Sequence, residues 1–147
     1  YCLNCSDEFP QQLRVASGVK GMDIEDGAEI ITATQIRKKL DYEIVVATSF
    51  GTFKKVDLGT ISKTARARKG VRLVDVGFDG KECVKLAVPK DEAESITLLI
   101  EDGDGNVMHA LSEDLASESR TTKGRPIAKL GMFKTNFACF FRGADKK

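Results

Sequence analysis

Two short segments of this sequence place cationic side chains at the same spacing beside a glycine. Residues 63–70 read KTARARKG, and residues 117–124 read SESRTTKG. In each segment an arginine stands three residues before a lysine, and a glycine follows the lysine directly. A forked guanidinium and a mobile ammonium both bind phosphate groups, and a glycine lets a backbone N–H approach the same anion. The spacing therefore indicates phosphate binding by two loops.

A plainer interpretation of the same segments is that the loops cap a sheet and the glycines only permit a turn. A run of charge is usually a solvated face. We favour phosphate contact for the cations because an arginine and a lysine recur together in both loops. For the glycines, which are Gly21, Gly70 and Gly124, we expect a structural role.

The basic residues are concentrated in the middle of the chain. Residues 54–72 contain seven lysines and arginines but one acid, whereas the whole chain has a formal net charge of only +1. The total charge counts against a nucleic-acid partner, so the interpretation depends on the distribution of charge. The candidate phosphate-contacting residues are Lys54, Lys55, Lys63, Arg66, Arg68, Lys69, Arg72, Arg120, Lys123, Arg125, Arg14 and Lys20.

The other reactive side chains form no catalytic pattern. Cys2 and Cys5 make half of a zinc motif, but neither Cys83, Cys139 nor the single histidine, His109, lies at a spacing that completes it. Reduced thiols are typical of a cytosolic protein. We therefore expect no metal, no cofactor and no catalytic residue in this chain.

A calcium loop is the alternative for the acidic stretch EDGDGNVMHALSE. Asp102, Asp104, Asn106 and Glu113 fall at positions 1, 3, 5 and 12 of the EF-hand pattern. The sixth position needs glycine for its sharp bend, and it is Val107 here. The stretch therefore favours a hairpin turn.

An internal repeat gives both basic loops the same place in the chain. Shifted by 54 residues, EIVVATSFGTFKKV falls on TLLIEDGDGNVMHA, and Arg66 falls on Arg120. A weaker copy, residues 17–36, matches at a spacing of 49, with Lys20-Gly21 in place of Lys69-Gly70. The sequence thus predicts one partial domain made of a truncated unit and two full units, at residues 1–42, 43–94 and 95–142, followed by a tail at 143–147.

Each unit repeats an apolar strand, a glycine turn, a second strand, the basic loop and further alternating segments. This order is typical of hairpins, and four strands in about 50 residues is typical of a propeller blade. We therefore predict an all-β fold of about three blades of four antiparallel strands. The predicted strands lie near 28–36, 43–48, 52–57, 71–77, 82–88, 95–101, 106–111, 126–130 and 137–142.

The repeated segments resemble the C-terminal domain of the DNA gyrase A protein and its topoisomerase IV counterpart. RVASGVKGMDI (14–24), TARARKGVRLV (64–74) and RTTKGRPIAKL (120–130) are similar to that family's repeated phrase. VVATSFGTFKKVDL is similar to its blade-opening hairpin. The resemblance extends from about residue 1 to residue 142.

The resemblance implies a β-pinwheel, a propeller-like disc in which neighbouring blades exchange a strand and the basic rim binds and bends double-stranded DNA. It also implies that the chain is part of the gyrase A-like protein of an ATP-dependent type II topoisomerase, located in the cytoplasm with the nucleoid. The family's gyrase A box, Gln-Arg-Arg-Gly-Gly-Lys-Gly, is missing; residues 65–70 keep only Arg66, Lys69 and Gly70 of it. Neither Tyr1 nor Tyr42 lies in a motif like that of the family's catalytic tyrosine.

Two further expectations concern partners. A partial disc exposes strand edges, which favours either a homodimer or a terminal strand, around Phe133–Phe141, that folds back onto an edge. The alternative function is a propeller-like module that binds another protein and not DNA. No apolar run in the sequence is long enough to cross a membrane.

Overall fold

The computed structural model describes residues 1–5, 9–37, 41–77 and 79–143. It contains two three-residue 3-10 helices, at Leu58–Thr60 and Ser112–Asp114, neither of them of a length that could cross a membrane. The all-β prediction is confirmed. The strands are β1 (Tyr42–Thr48), β2 (Phe53–Asp57), β3 (Val84–Asp91), β4 (Ile96–Asp102), β5 (Val107–Leu111) and β6 (Thr135–Arg142).

The strands form two antiparallel sheets with the same topology. The first sheet has the order β2-β1-β3, and the second sheet has the order β5-β4-β6. In both sheets the register shifts near the end of the central strand, at Ala47/Thr48 and at Glu101/Asp102. The matching order and bulges make each sheet one blade of the repeat, and the prediction of antiparallel blades is confirmed.

Each blade has three continuous strands where the sequence predicted four. No strand forms at 71–77, where Val71 makes one isolated bridge, nor at 126–130 or 28–36. Ile30 and Ile31 are about half exposed, so the alternating pattern there does not bury a face. Apolar alternation predicts a strand only where a second strand edge is available to pair with it.

The outer edge of β2 is instead paired by the following unit. The N–H of Phe53 donates to the carbonyl of Arg125 (2.8 Å), and the N–H of Arg125 donates back (3.0 Å). Further along, the N–H of Lys55 donates to Ala116 O (2.9 Å), and that of Glu118 donates to Lys55 O (2.9 Å). The fourth position of the first sheet is therefore filled by a segment of the next repeat.

Residues 1–5 occupy the same place one unit earlier. Cys2 exchanges two backbone hydrogen bonds of 2.8 Å with Val71, and the N–H of Thr64 donates to Asn4 O (2.8 Å). The bridges Cys2–Val71 and Asn4–Lys63 correspond to Phe53–Arg125 and Lys55–Ser117 in type and order. The first five residues are thus the counterpart of β2 for the truncated unit.

The core lies on both faces of the first sheet. One face packs Val45, Ala47 and Val88 against Leu98 and Ile100 of the second sheet. Alternate residues point to the opposite face. There, Ile44, Val46 and Val56 pack against Leu73 and Val74, which follow the basic segment at residues 63–70. The first sheet is therefore a central layer with no solvated face.

Within the part of the chain that the structure describes, one face of the second sheet is uncovered, and we call it the uncovered side. Val107 and Leu111 of β5 are 66% and 43% exposed, and Phe137 and Phe141 of β6 are each 56% exposed. The terminal strand β6 pairs with β4, so it completes the second sheet and does not cover β5. Dimerisation through the open strand edges stays a prediction.

Candidate nucleic-acid interface

The three basic segments lie next to one another because each pairs with a neighbouring unit. We define them as loop 1 (residues 17–25), loop 2 (63–72) and loop 3 (117–125). Loop 2 is held on the strand of residues 1–5, and loop 3 is held on β2. Equivalent anchors place loops 2 and 3 at the same corner of successive blades.

Direct contacts join loop 1 to loop 2. The N–H of Ala67 donates to the carbonyl of Gly21 (2.6 Å), and Nη1 of Arg66 donates to the carbonyl of Lys20 (3.2 Å). Arg66 is half-buried by this contact. A guanidinium has five N–H donors, so a bond to one carbonyl leaves donors for a phosphate.

Loop 2 is joined to loop 3 in the same way. Nη1 of Arg120 donates to the carbonyl of Arg72 (3.4 Å), and the N–H of Asp75 donates to the carbonyl of Thr122 (3.1 Å). Arg66 and Arg120 are therefore equivalent in structure as well as in sequence, each reaching back to the preceding loop. The result is a connected row of basic loops, which we call the basic rim.

Several cations of the basic rim are paired with carboxylates. Nζ of Lys69 lies 2.9 Å from Glu25 Oε1, and both side chains are more than half exposed. The hydrogen bond from Lys69 lowers the pKa of Glu25, and Glu25 raises the pKa of Lys69. Lys20 is paired with Asp23 in loop 1. An incoming phosphate would compete with these carboxylates.

Loop 3 and the end of loop 2 show further pairs. Nε of Arg125 lies 2.8 Å from Glu118 Oε1, although the Arg125 side chain is 76% exposed. Nη1 of Arg72 lies 3.9 Å from Asp75 Oδ1. Four further cations of the predicted set are exposed as well, namely Arg14, Lys63, Arg68 and Lys123.

Two of the predicted phosphate-contacting lysines do not lie on the surface. Lys54 is fully buried on β2, and its ammonium is bonded inside the protein. The side chain of Lys55 is 17% exposed and lies 3.2 Å from Glu43, which also pairs with the buried Lys90. The sequence placed Lys54 and Lys55 on an exposed hairpin because it could not show that the first sheet is covered on both faces.

At two of the three predicted structural glycines, the backbone conformation and a close neighbour require glycine. Gly70 and Gly124 have positive φ angles of 79° and 85°. A Cβ at Gly70 would lie 2.2 Å from the carbonyl oxygen of Cys2, and one at Gly124 would lie 2.9 Å from that of Phe53. These glycines let the loops pass close to the strand that anchors them. Gly21 shows no such need, because a Cβ there would make an ordinary contact with Phe9 at 3.5 Å.

Replacing Gly70 with alanine is expected to destabilise the chain by about 2 kcal/mol, because it adds backbone strain and a clash with a carbonyl. Gly80→Ala is the matched control: its φ of 69° is also positive, but a Cβ there meets nothing within 4 Å. We expect the control to lose about 1 kcal/mol. Urea unfolding measures both, and equal losses would contradict the close approach of loop 2.

The glycine with the closest approach was not identified from the sequence as structural. Gly51, in the β1–β2 turn, has a φ of 73°, and a Cβ there would lie 1.9 Å from Phe133 O. This contact joins residues far apart in the chain. The sequence signals the turn, but it carries no signal of the carbonyl that the turn meets.

The acidic stretch of the third unit is a turn. Oδ1 of Asp102 accepts hydrogen bonds from the N–H groups of Asp104 (2.9 Å) and Asn106 (2.8 Å). Hydrogen bonds from Asn106 hold the pKa of Asp102 below its usual range. Within the described residues, no three His, Cys, Asp or Glu side chains converge as a metal site would require. The hairpin interpretation is the one that the geometry supports.

The four cysteines are unpaired thiols. Burial raises the pKa of the Cys2 thiol, which keeps it protonated and unreactive. Cys2 and Val71 pack against the part of the core that contains Ile44 and Val46. Cys2 therefore serves as a small apolar residue of the segment that anchors loop 2.

Comparisons with known proteins agree with this architecture. The DNA gyrase C-terminal domain family, described as a β-propeller, matches residues 6–37 and 42–82. Among solved structures, the C-terminal domain of DNA topoisomerase IV is similar, with a TM-score of 0.69 and 23% identity, over 85% of this chain. The chain spans 38% of that protein's length. No curated protein matches.

The two matches are complementary. The family match covers loops 1 and 2, whereas the structural match covers most of the chain and shows the fold alone. The strand exchange at residues 1–5 and at β2 is the feature by which a pinwheel differs from an ordinary propeller. On the repeated loops, the exchanged edges and the match over residues 6–37 and 42–82, this chain belongs to the family of DNA gyrase C-terminal β-propeller domains.

Proposed function

We propose that the chain binds double-stranded DNA without sequence preference, through the phosphate backbone, and bends it along the basic rim. The observation that carries this proposal is the connected row of three loops, in which loops 2 and 3 each repeat an arginine, a lysine and a close backbone approach at the corner of successive units. Phosphate contacts need cations spaced along a surface and no reading element in a groove.

We revise the set of residues proposed to contact phosphate. Lys54 and Lys55 are left out because one is buried and the other is ion-paired in a largely buried position. The proposed set is Lys20, Lys63, Arg66, Arg68, Lys69, Arg72, Arg120, Lys123 and Arg125, with Arg14 shortly before loop 1 in the sequence. Arg66 and Arg120 would donate to phosphate in forked geometry, while Lys69 and Lys123 act as point charges.

The larger protein is part of the proposal. We infer that the chain belongs to the gyrase A-like protein of an ATP-dependent type II topoisomerase, in the cytoplasm and associated with the nucleoid. Its role would be to bind and bend the DNA whose topology the enzyme changes. The support is the family match, together with the fact that the chain spans only 38% of the topoisomerase IV domain that it resembles. The uncovered side of the second sheet would then pack against a further blade or a second copy.

The test is the binding of labelled duplexes of two unrelated sequences over a range of salt concentrations. Each phosphate contact contributes about 0.9 to the slope of log affinity against log salt. We expect equal affinities for the two duplexes and a slope of several units. Binding that is strong, insensitive to salt and confined to one sequence would overturn the proposal, and an absence of DNA binding would favour the protein-docking alternative.

Removing the carboxylate of the Lys69–Glu25 pair is expected to strengthen DNA binding. Glu25→Gln removes the carboxylate that competes with phosphate for Lys69, so DNA affinity is expected to rise about three- to tenfold at low salt. Glu29→Gln removes the same charge from an exposed position close by and should have a smaller effect. Equal gains in both variants would mean that only net charge matters, and not the contact at 2.9 Å.

A further inference from the structure

Lys54 is a buried cation whose hydrogen bonds all reach into loop 3. Its side chain is 0% exposed. Its Nζ donates to the carbonyls of Ser119 and Thr122, both at 2.8 Å, and approaches Thr122 Oγ1 at 3.3 Å. These contacts cross from β2 of one unit to the basic loop of the next. One ammonium thus occupies the interior of the turn that presents Arg120 and Lys123.

The ammonium adds the shortest hydrogen bonds to two carbonyls of the loop. Ser119 O otherwise accepts the N–H of Thr122 at 3.4 Å and its hydroxyl at 3.1 Å. A charged donor makes the bonds from Lys54 stronger than these neutral ones. The ammonium has three donors, which matches the three oxygen atoms around it. The carbonyl of Thr122 also accepts the N–H of Asp75 (3.1 Å), so it joins loop 3 to the segment that follows loop 2.

The charge environment fits a lysine at this point. Burial lowers the pKa of Lys54, and the carboxylates of Glu118 and Asp75 oppose that shift. The two residues on either side of the turn are also fixed: Arg120 donates to Arg72 O, and Lys123 O accepts from Thr52 Oγ1 at 2.8 Å.

The equivalent positions in the other units carry apolar side chains. Leu3 stands at this position in the strand that anchors loop 2, and Met108 stands there in β5. Loop 2, which has no ammonium at this place, differs from loop 3 locally: Ala67 has a left-handed φ of 58°, whereas its counterpart Thr121 has no positive φ. The lysine is therefore particular to loop 3, and the strand itself accepts an apolar residue at this place.

We propose that Lys54 is a positioning residue for DNA binding: from inside the protein it holds loop 3 in the shape that directs Arg120 and Lys123 toward phosphate. This inference rests on the proposed function for its binding consequence, and on the structure alone for its effect on the loop. Lys54 itself touches no DNA.

Lys54→Met, with the side chain found at the equivalent position of β5, tests the inference in two ways. Amide hydrogen exchange at Asp75, whose N–H donates to Thr122 O, should become at least about tenfold faster, whereas exchange at Val71, bonded to Cys2 O, should stay unchanged. The slope of log DNA affinity against log salt should fall by up to about two units, the value expected for the double variant R120A/K123A.

The double variant R120A/K123A also serves as the background of a double-mutant cycle with Lys54→Met. If Lys54 acts through loop 3, then adding Lys54→Met to R120A/K123A should cause no further loss of DNA affinity. An equal loss in both backgrounds would overturn the inference, as would unchanged exchange at Asp75. If the parent chain binds no DNA, the proposed function fails, but the exchange measurement still decides the role of Lys54. If Lys54→Met does not fold, Lys54→Gln, which keeps an N–H donor, is judged by the same criteria.

Discussion

Replacing Arg66, Lys69, Arg120 and Lys123 together with alanine is expected to weaken binding to every DNA duplex by about two to three orders of magnitude at low salt. Four phosphate contacts account for about 3.6 units of the slope of log affinity against log salt, and the slope should flatten accordingly. The fold should survive, because Lys69 and Lys123 are exposed and each arginine makes a single hydrogen bond to a carbonyl among the bonds described above. Titration of labelled duplexes at several salt concentrations measures both effects.

The control separates position from net charge. Lys81 and Lys134 are exposed lysines outside the three basic loops, and Lys81→Ala with Lys134→Ala removes the same charge as either loop pair. We expect this double variant to bind with nearly the parent affinity. If it weakens binding as much as R66A/K69A does, then the rim has no special role. If the fourfold variant binds as the parent does, the loops only cap the blades and the protein-docking alternative is favoured.

The two loops are not expected to contribute equally. The sequence predicts a larger contribution from the second unit because Lys54, Lys55, Lys63, Arg68 and Arg72 crowd the same region. The structure removes Lys54 and Lys55 from this group, since neither lysine is available at the surface. Lys63 and Arg68 remain exposed in loop 2, so R66A/K69A is still expected to weaken binding more than R120A/K123A, by a smaller margin.

Leu98→Ala is expected to cost about 3 to 4 kcal/mol of the free energy of unfolding. Leu98 lies at the centre of β4, is 0% exposed and packs in the cluster between the two sheets. Truncation of a buried leucine removes apolar contact and leaves a cavity, with losses of about 2 to 5 kcal/mol. Urea or thermal unfolding of the two chains gives the difference directly.

Leu99→Ala is the matched control on the same strand. Leu99 is the next residue, points to the opposite face of the second sheet and is only partly buried. We expect a loss of about 1 kcal/mol or less in this chain. A loss at Leu99 as large as that at Leu98 would mean that the outer side of the second sheet is covered in solution, as it would be in a dimer.

The hairpins could be predicted from the sequence because their signals are local. Residues 43–48 and 95–101 alternate or run apolar up to a glycine turn, and β1 and β4 lie where this pattern places them. The strands predicted at 71–77 and 126–130 did not form. The fourth position of the first sheet is filled instead by residues 116–125 of the next unit, and residues 63–71 pair in the same way with residues 1–5. Such pairing depends on contacts that no local pattern encodes.

The candidate site could also be predicted only in part: the positions of its arginines followed from the sequence, but the exposure of its lysines did not. Recurrence placed Arg66 and Arg120 in equivalent structural positions, because a repeat preserves the corner of the blade. Exposure was not predictable: a lysine on an alternating strand is expected to face solvent, yet Lys54 and Lys90 are buried. A buried ammonium is tolerated where carbonyls or a carboxylate surround it, and those partners come from other segments of the chain.

The location of bound DNA tests the central claim most directly. A titration of the isotopically labelled chain with a short duplex, followed by amide chemical shifts, identifies the residues that contact it. We expect the largest shifts at Lys69, Gly70, Lys123 and Gly124, with little change at the β4–β5 turn around Gly105. Shifts concentrated on the uncovered side of the second sheet, at Val107 and Phe137, with none in loops 2 and 3, would contradict phosphate binding by the basic rim.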